Sequence, residues 1–150
     1  MTVFAGNSVL PDSMLTEDKV YEYTFSNTLL AEKIMAELRK QGKQSAYELD
    51  IAEGDLYYNT GRFIMATRFY KNALAAKPVK QDMQKTMKLL HRLISCYDGL
   101  YDEERKAETV RLLMRDAKQV GDKGMESIAL FYLGKSLHEQ GTKERGYAYM

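Results

Sequence analysis

A chain of 150 residues that holds only two prolines, Pro11 and Pro78, has few ways to break a helix. Proline removes a backbone donor and clashes with the preceding turn, so its scarcity leaves long stretches open to helix. Ten glycines supply the rest of the punctuation, too few for the many tight turns of a β-sandwich. Between these points apolar residues recur at helical spacing. Leu30, Ile34, Met35 and Leu38 alternate with Glu32, Lys33, Glu37 and Arg39. Residues 6–18 read as an extended leader, with Pro11 and Asp12-Ser13 as turn chemistry, and Val20, Tyr21, Tyr23 and Phe25 as one or two helical turns. Helices are predicted from Asn27 to a glycine stop at Gln41-Gly42-Lys43, over 45–59, over 62–76 with Pro78 as the stop, over 80–100 and over 103–120. A further helix is predicted over 125–139, ended by Gln140-Gly141, with a last one starting near Thr142. Connections of a few residues make neighbours antiparallel hairpins.

Composition excludes several classes. The chain is 45% hydrophobic and 29% charged, which rules against disorder. Its 22 Lys+Arg balance 21 Asp+Glu at a net charge of +1, without the basic excess of a nucleic-acid binder. A single cysteine, Cys96, excludes an internal disulfide and a cysteine zinc knuckle. No apolar stretch approaches the roughly 18 residues that span a bilayer.

The helices repeat. Gly54 and Gly61 match Gly134 and Gly141 at one offset of 80, and Tyr57 is followed 40 residues later by Tyr97. Ala31, Met35 and Leu38 match Ala66, Tyr70 and Ala73 at an offset of 35. Gly54, Tyr57, Gly61, Ala66, Tyr70, Ala73 and Pro78 carry a close resemblance to the tetratricopeptide repeat. The resemblance implies an all-α superhelix of stacked antiparallel hairpins. It covers a half repeat at 27–43 and units at about 45–78, 79–121 and 124–150, within a repeat domain of residues 19–150 behind a leader of 1–18. Several positions depart from the family pattern. Asp50 and Glu53 occupy its tryptophan and leucine positions. The middle copy is about 40 residues rather than 34. Asp102 stands where the turn glycine is expected, and Ala107 fits the second helix only with a one-residue slip.

Catalytic signals are sparse. His91 and His138 are the two histidines, and neither sits at a ligand spacing with acidic or thiol partners. His91-Arg92 on a long helix admits a phosphotransfer bundle, whereas Leu89, Leu90, Leu93 and Ile94 around it read as ordinary core. Cys96 reads as a buried inert thiol, and Met83 and Met87 as core. The sets Lys33/Glu37 and Glu103/Glu104/Arg105/Lys106/Glu108 read as solvated faces. No metal or cofactor site and no enzyme activity is expected.

The first helix of each tetratricopeptide hairpin lines the ligand face. Carried over, the candidates are Asp55, Tyr58 and Asn59 in the first copy, His91, Ser95 and Asp98 in the second, and Phe131, Lys135 and His138 in the third. The mix suits a protein or peptide partner, self-association included, held by hydrogen bonds and an aromatic contact. Simple solvation of these side chains is the competing reading. Pro11–Met14 and Ala31–Met35 further resemble the N-terminal repeat region of bacterial sensor histidine kinases. That implies an input region of a longer, membrane-anchored signalling protein, in an extracytoplasmic or periplasmic setting. A cytoplasmic scaffold or adaptor is the alternative. Val3-Phe4-Ala5 reads equally as an export remnant or a frayed start, and 145–150 as the middle of a helix.

Overall fold

The computed structural model describes the backbone of residues 10–148 and the side chains of residues 10–141. Val3-Phe4-Ala5 and the side chains of 145–150 lie outside the described residues. The regular elements are a 3-10 turn at Asp12–Met14 and helices α1 (Glu17–Tyr23), α2 (Thr28–Gln41), α3 (Ala46–Asn59), α4 (Phe63–Leu74), α5 (Lys77–Lys80), α6 (Met83–Gly99), α7 (Glu103–Val120) and α8 (Lys123–Ala148). Among the described residues there is no strand, so the all-helical expectation holds. The chain divides into two compact units, the first ending at Ala76 and the second starting at Lys77.

In the first unit α1 packs on α2 and α3, and α3 packs on α4. Local chemistry sets the ends of these helices. Thr16 Oγ1 accepts the Lys19 amide at 3.1 Å, and Asn27 Oδ1 accepts the Leu30 amide at 3.2 Å, each satisfying a donor the helix start leaves unpaired. Gly42 closes α2 at φ +63. The core joins Val20 of α1 with Ala31, Ile34, Met35 and Leu38 of α2 and Leu49 and Leu56 of α3. Leu10, Met14 and Leu15 pack against it, so the leader is a folded strap rather than an extended arm. Its Glu17 and Asp18 already belong to α1.

The α3–α4 hairpin depends on Gly54. A Cβ added there would stand 2.7 Å from Tyr70 Cε1, so a hydrogen at this position is what admits the fully buried tyrosine ring. Helix α4 ends at Leu74, not at Ala76 under the influence of Pro78. The proline lies in the first turn of α5, where its missing donor has no partner to lose.

In the second unit α5 and α7 pack on α6, and α8 packs on α7. Three aspartates start the long helices. Asp82, Asp102 and Asp122 accept the amides of Lys85, Arg105 and Met125 at 3.1, 3.1 and 3.0 Å. Met87, Leu90, Leu93, Ile94 and Cys96 of α6 meet Val110, Leu113 and Ala117 of α7 in the buried layer, with Ala129 of α8 also buried.

The structure corrects the sequence reading of this unit in four places. Tyr101, not Asp102, takes the turn-glycine position, with φ +56 against φ +77 at Gly61. Asp102 caps α7 instead. Lys106, not Ala107, is the buried counterpart of Ala66, so no slip is needed. Lys106 is also 1% exposed and therefore not part of a solvated face. Finally, α8 runs unbroken through Gln140-Gly141 and Thr142. Gly141 has no positive φ, and nothing lies within 4 Å of an added Cβ at Gly134 or Gly141. The 54/134 and 61/141 matches therefore pair glycines in different structural roles.

Candidate functional site

The candidates of the first unit lie on α3. Asp55 accepts a hydrogen bond from Tyr70 Oη at 2.5 Å. It thus anchors the ring that Gly54 admits. Tyr58 meets Phe63 edge to face at 5.8 Å between ring centres. Asp55 and Asn59 also line a cleft of about 100 Å³ whose other wall is Glu17, Tyr21 and Thr24. Burial, and then the carboxylates of Glu48, Asp18 and Asp55, push the Glu17 carboxyl above its ordinary value.

Sequence reasoning missed an adjacent ion network. Arg39 of α2 reaches Asp50 at 2.8 Å and Glu53 at 2.5 Å, both on α3. Its guanidinium lies 5.3 Å from the centre of the Phe69 ring. Phe69 stacks on Tyr57 at 5.6 Å, and Arg62 covers Tyr57 at 4.4 Å while pairing with Glu32 at 2.6 Å. Asp50 and Glu53 are the two departures from the repeat pattern. An arginine held by two carboxylates stands there in place of an apolar contact. The available signal was Asp50 and Glu53 three residues apart on one helix face, following a lone arginine among the apolar positions of α2.

In the second unit the structure brings candidates from α6 and α8 together. The His91 ring meets Tyr132 at 6.4 Å, and Ser95 Oγ lies 3.2 Å from Tyr132 Oη. Phe131 packs edge to face on Tyr132 at 5.2 Å and is itself 64% exposed. Lys135 donates to Asp98 at 2.7 Å, and the buried Lys106 donates to the other Asp98 oxygen at 3.0 Å. Lys106 also donates to Glu103 at 3.1 Å. His138 is exposed one turn beyond Lys135. Tyr132 was not a sequence candidate, yet it joins His91, Ser95 and Phe131.

The electrostatics follow from this packing. Burial, with Arg92 adding to it, lowers the His91 pKa, so the imidazole is neutral near pH 7. Burial alone would raise Asp98, but the hydrogen bonds from Lys135 and Lys106 outweigh it and hold the carboxyl below its ordinary value. Burial opposes the Lys106 charge, and Glu103 and Asp98 more than offset it. Asp98 is thus a structural ion rather than a free acid, and Lys135 its outer partner.

Among the described residues no group of three or more His, Cys, Asp or Glu could hold a metal. No described helix is long and apolar enough to cross a membrane. No known family model matches the chain, and neither the curated proteins nor the solved structures give a match.

Proposed function

We propose that this chain is a non-catalytic recognition module of stacked helical hairpins, tetratricopeptide-like in plan. Its α6–α8 face would capture a peptide or partner segment. The observation that carries this reading is the aromatic strip of His91, Tyr132 and Phe131, fixed on two helices and flanked by Ser95 and the Asp98–Lys135 pair. A neutral imidazole and two aromatic rings offer contact area at low entropic cost, and the adjacent hydroxyls offer hydrogen bonds. The hairpin plan is supported from within the chain. The turns at 60–62 and 100–102 have matching backbone hydrogen bonds, Arg62 to Tyr57 at 2.8 Å and Asp102 to Tyr97 at 2.9 Å. They differ in position by 40 residues throughout.

A random peptide library selected on the wild-type chain supplies the probe. Phe131→Ala is expected to weaken the selected peptides about tenfold. Ile64→Ala, an exposed change in the first unit, leaves them unaffected. Unchanged binding in Phe131→Ala, or a library that yields no binder, overturns the reading. A role as the input region of a bacterial signalling protein rests on Pro11–Met14 and Ala31–Met35 alone. Sequencing the gene beyond Met150 tests it, because a membrane span followed by a kinase core is the expected result.

A further inference from the structure

A second surface lies on the other flank of α8. Leu130, Leu133 and Leu137 recur at spacings of three and four, which places them on one helix face, and they are 53%, 46% and 61% exposed. Gly134 lies beside them, and an added Cβ there would meet nothing within 4 Å. This chain's own packing therefore gives no reason for a glycine in mid-helix, where it is less favourable than alanine. Beside the leucines runs a groove between α7 and α8. Its apolar half, about 290 Å³, is lined by Ala107, Val110, Met114, Tyr132 and Leu133, with Arg111 also on its wall. Its polar half, about 320 Å³, shares Ala107 and Ser136 and ends at Glu103 and Glu139.

We propose that two copies of this chain pair antiparallel through this α7–α8 groove and the Leu133–Leu137 ridge, with Arg111 of each copy facing Glu139 of the other. Groove and ridge occur on the same molecule, so the surface can complement itself, as a two-fold interface requires. Charge fixes the direction. Arg111 makes no ion pair among the described residues, and a two-fold axis across the groove inverts the second copy, so each basic end meets an acidic end. A parallel neighbour would set Arg111 against Arg111. The net charge of +1 leaves no long-range repulsion between copies. Gly134, at the centre of the ridge, lets the two α8 helices approach closely. The groove shares Tyr132 with the aromatic strip, so the two proposals are told apart by their variants, Phe131→Ala for peptide binding and the Arg111/Glu139 exchange for pairing.

Sedimentation equilibrium over a wide concentration range tests it on the full chain. The wild type is expected to form a dimer that weakens with added salt. Leu133→Glu is expected to give a monomer with unchanged helical circular dichroism. Arg111→Glu and Glu139→Arg are each expected to weaken the dimer about tenfold, and the double variant to recover it. The double variant keeps the test valid should Leu133→Glu fail to fold. A wild type that stays monomeric throughout, or a double variant no tighter than either single one, overturns the proposal.

Discussion

The α3–α4 and α6–α7 hairpins turn in the same way and fill their seams in opposite ways. Thr60, Gly61 and Arg62 have counterparts in Leu100, Tyr101 and Asp102, with Leu100 bonding back to Cys96 as Thr60 does to Leu56. Across the seam, however, Gly54 faces Tyr70 in the first hairpin, whereas Ile94 and Val110 stand at the corresponding positions of the second. Glycine plus tyrosine and isoleucine plus valine fill comparable space with the sizes redistributed. Ala66 and Tyr58 in the first hairpin become Lys106 and Asp98 in the second, an ion pair at 3.0 Å. Polar departures occur in both hairpins but in different places. The first has Asp50 and Glu53 where the second has the buried Leu90 and Leu93. A hairpin plan thus constrains backbone and total volume, and leaves open which position is small and which is charged.

Substitutions can break this comparison. The largest effect is expected at Lys106. Lys106→Ala removes a buried stem and leaves Asp98 with Lys135 as its remaining cation, and should cost roughly 2–4 kcal/mol in a thermal or urea melt. Lys106→Met keeps the volume and should lie within about 1 kcal/mol of wild type, because a hydrophobic isostere commonly replaces a buried ion without loss. A loss in the methionine variant as large as in the alanine one would show that charge, not volume, holds the second seam.

At the first seam, Gly54→Ala forces a methyl against the Tyr70 ring and should cost about 1–3 kcal/mol. The same change at Gly134 should stabilise the monomer, melted at low concentration, by about 0.5–1 kcal/mol, since within one chain the methyl meets nothing. Equal effects at the two glycines would restore the equivalence that their spacing suggests. Tyr101→Gly relieves a left-handed tyrosine and should raise stability by about 1 kcal/mol, while Gly61→Ala should lower it by a similar amount. Matching signs at the two turns would refute their shared geometry.

The smallest effect concerns pH. His91 has a lowered pKa, so the unfolded chain binds its proton more readily than the folded one. Stability of the second unit should therefore decline as pH falls below about 6.5, and His91→Gln should flatten that decline. Asp98 has a lowered pKa as well, and its contribution is kept until the pH falls through the carboxylate range. A wild-type melt that is flat between pH 7 and 5 would show that His91 is not desolvated by α8.

Most helix positions were legible in the sequence, because apolar spacing and caps are local. Asn27, Gly42, Ser45, Gly61 and Gly121 all mark ends within a residue or two of the observed ones. The misreadings came from asking a glycine to mean the same thing twice. Gly141 lies inside α8, while Tyr101 carries the turn that a glycine would have announced. The sequence placed His91, Ser95 and Asp98 on one helix and Phe131 and Lys135 on another, and α6 and α8 do bring them side by side. The partners that occupy them were not legible. Tyr132 for His91 and Ser95, and Lys106 for Asp98, lie 8 to 41 residues away in sequence.

The sequence by itself determined an all-helical chain of hairpins, because proline scarcity, apolar period and helix caps act within a few residues. Only the tertiary structure decided which side of each helix is covered. It buried Lys106 among carboxylates, drew Asp50 and Glu53 onto Arg39, and left the leucines of α8 open. Burial is set by neighbours distant in sequence. A lysine on a helix has the same local propensity whether it meets water or an aspartate, and only packing distinguishes the two.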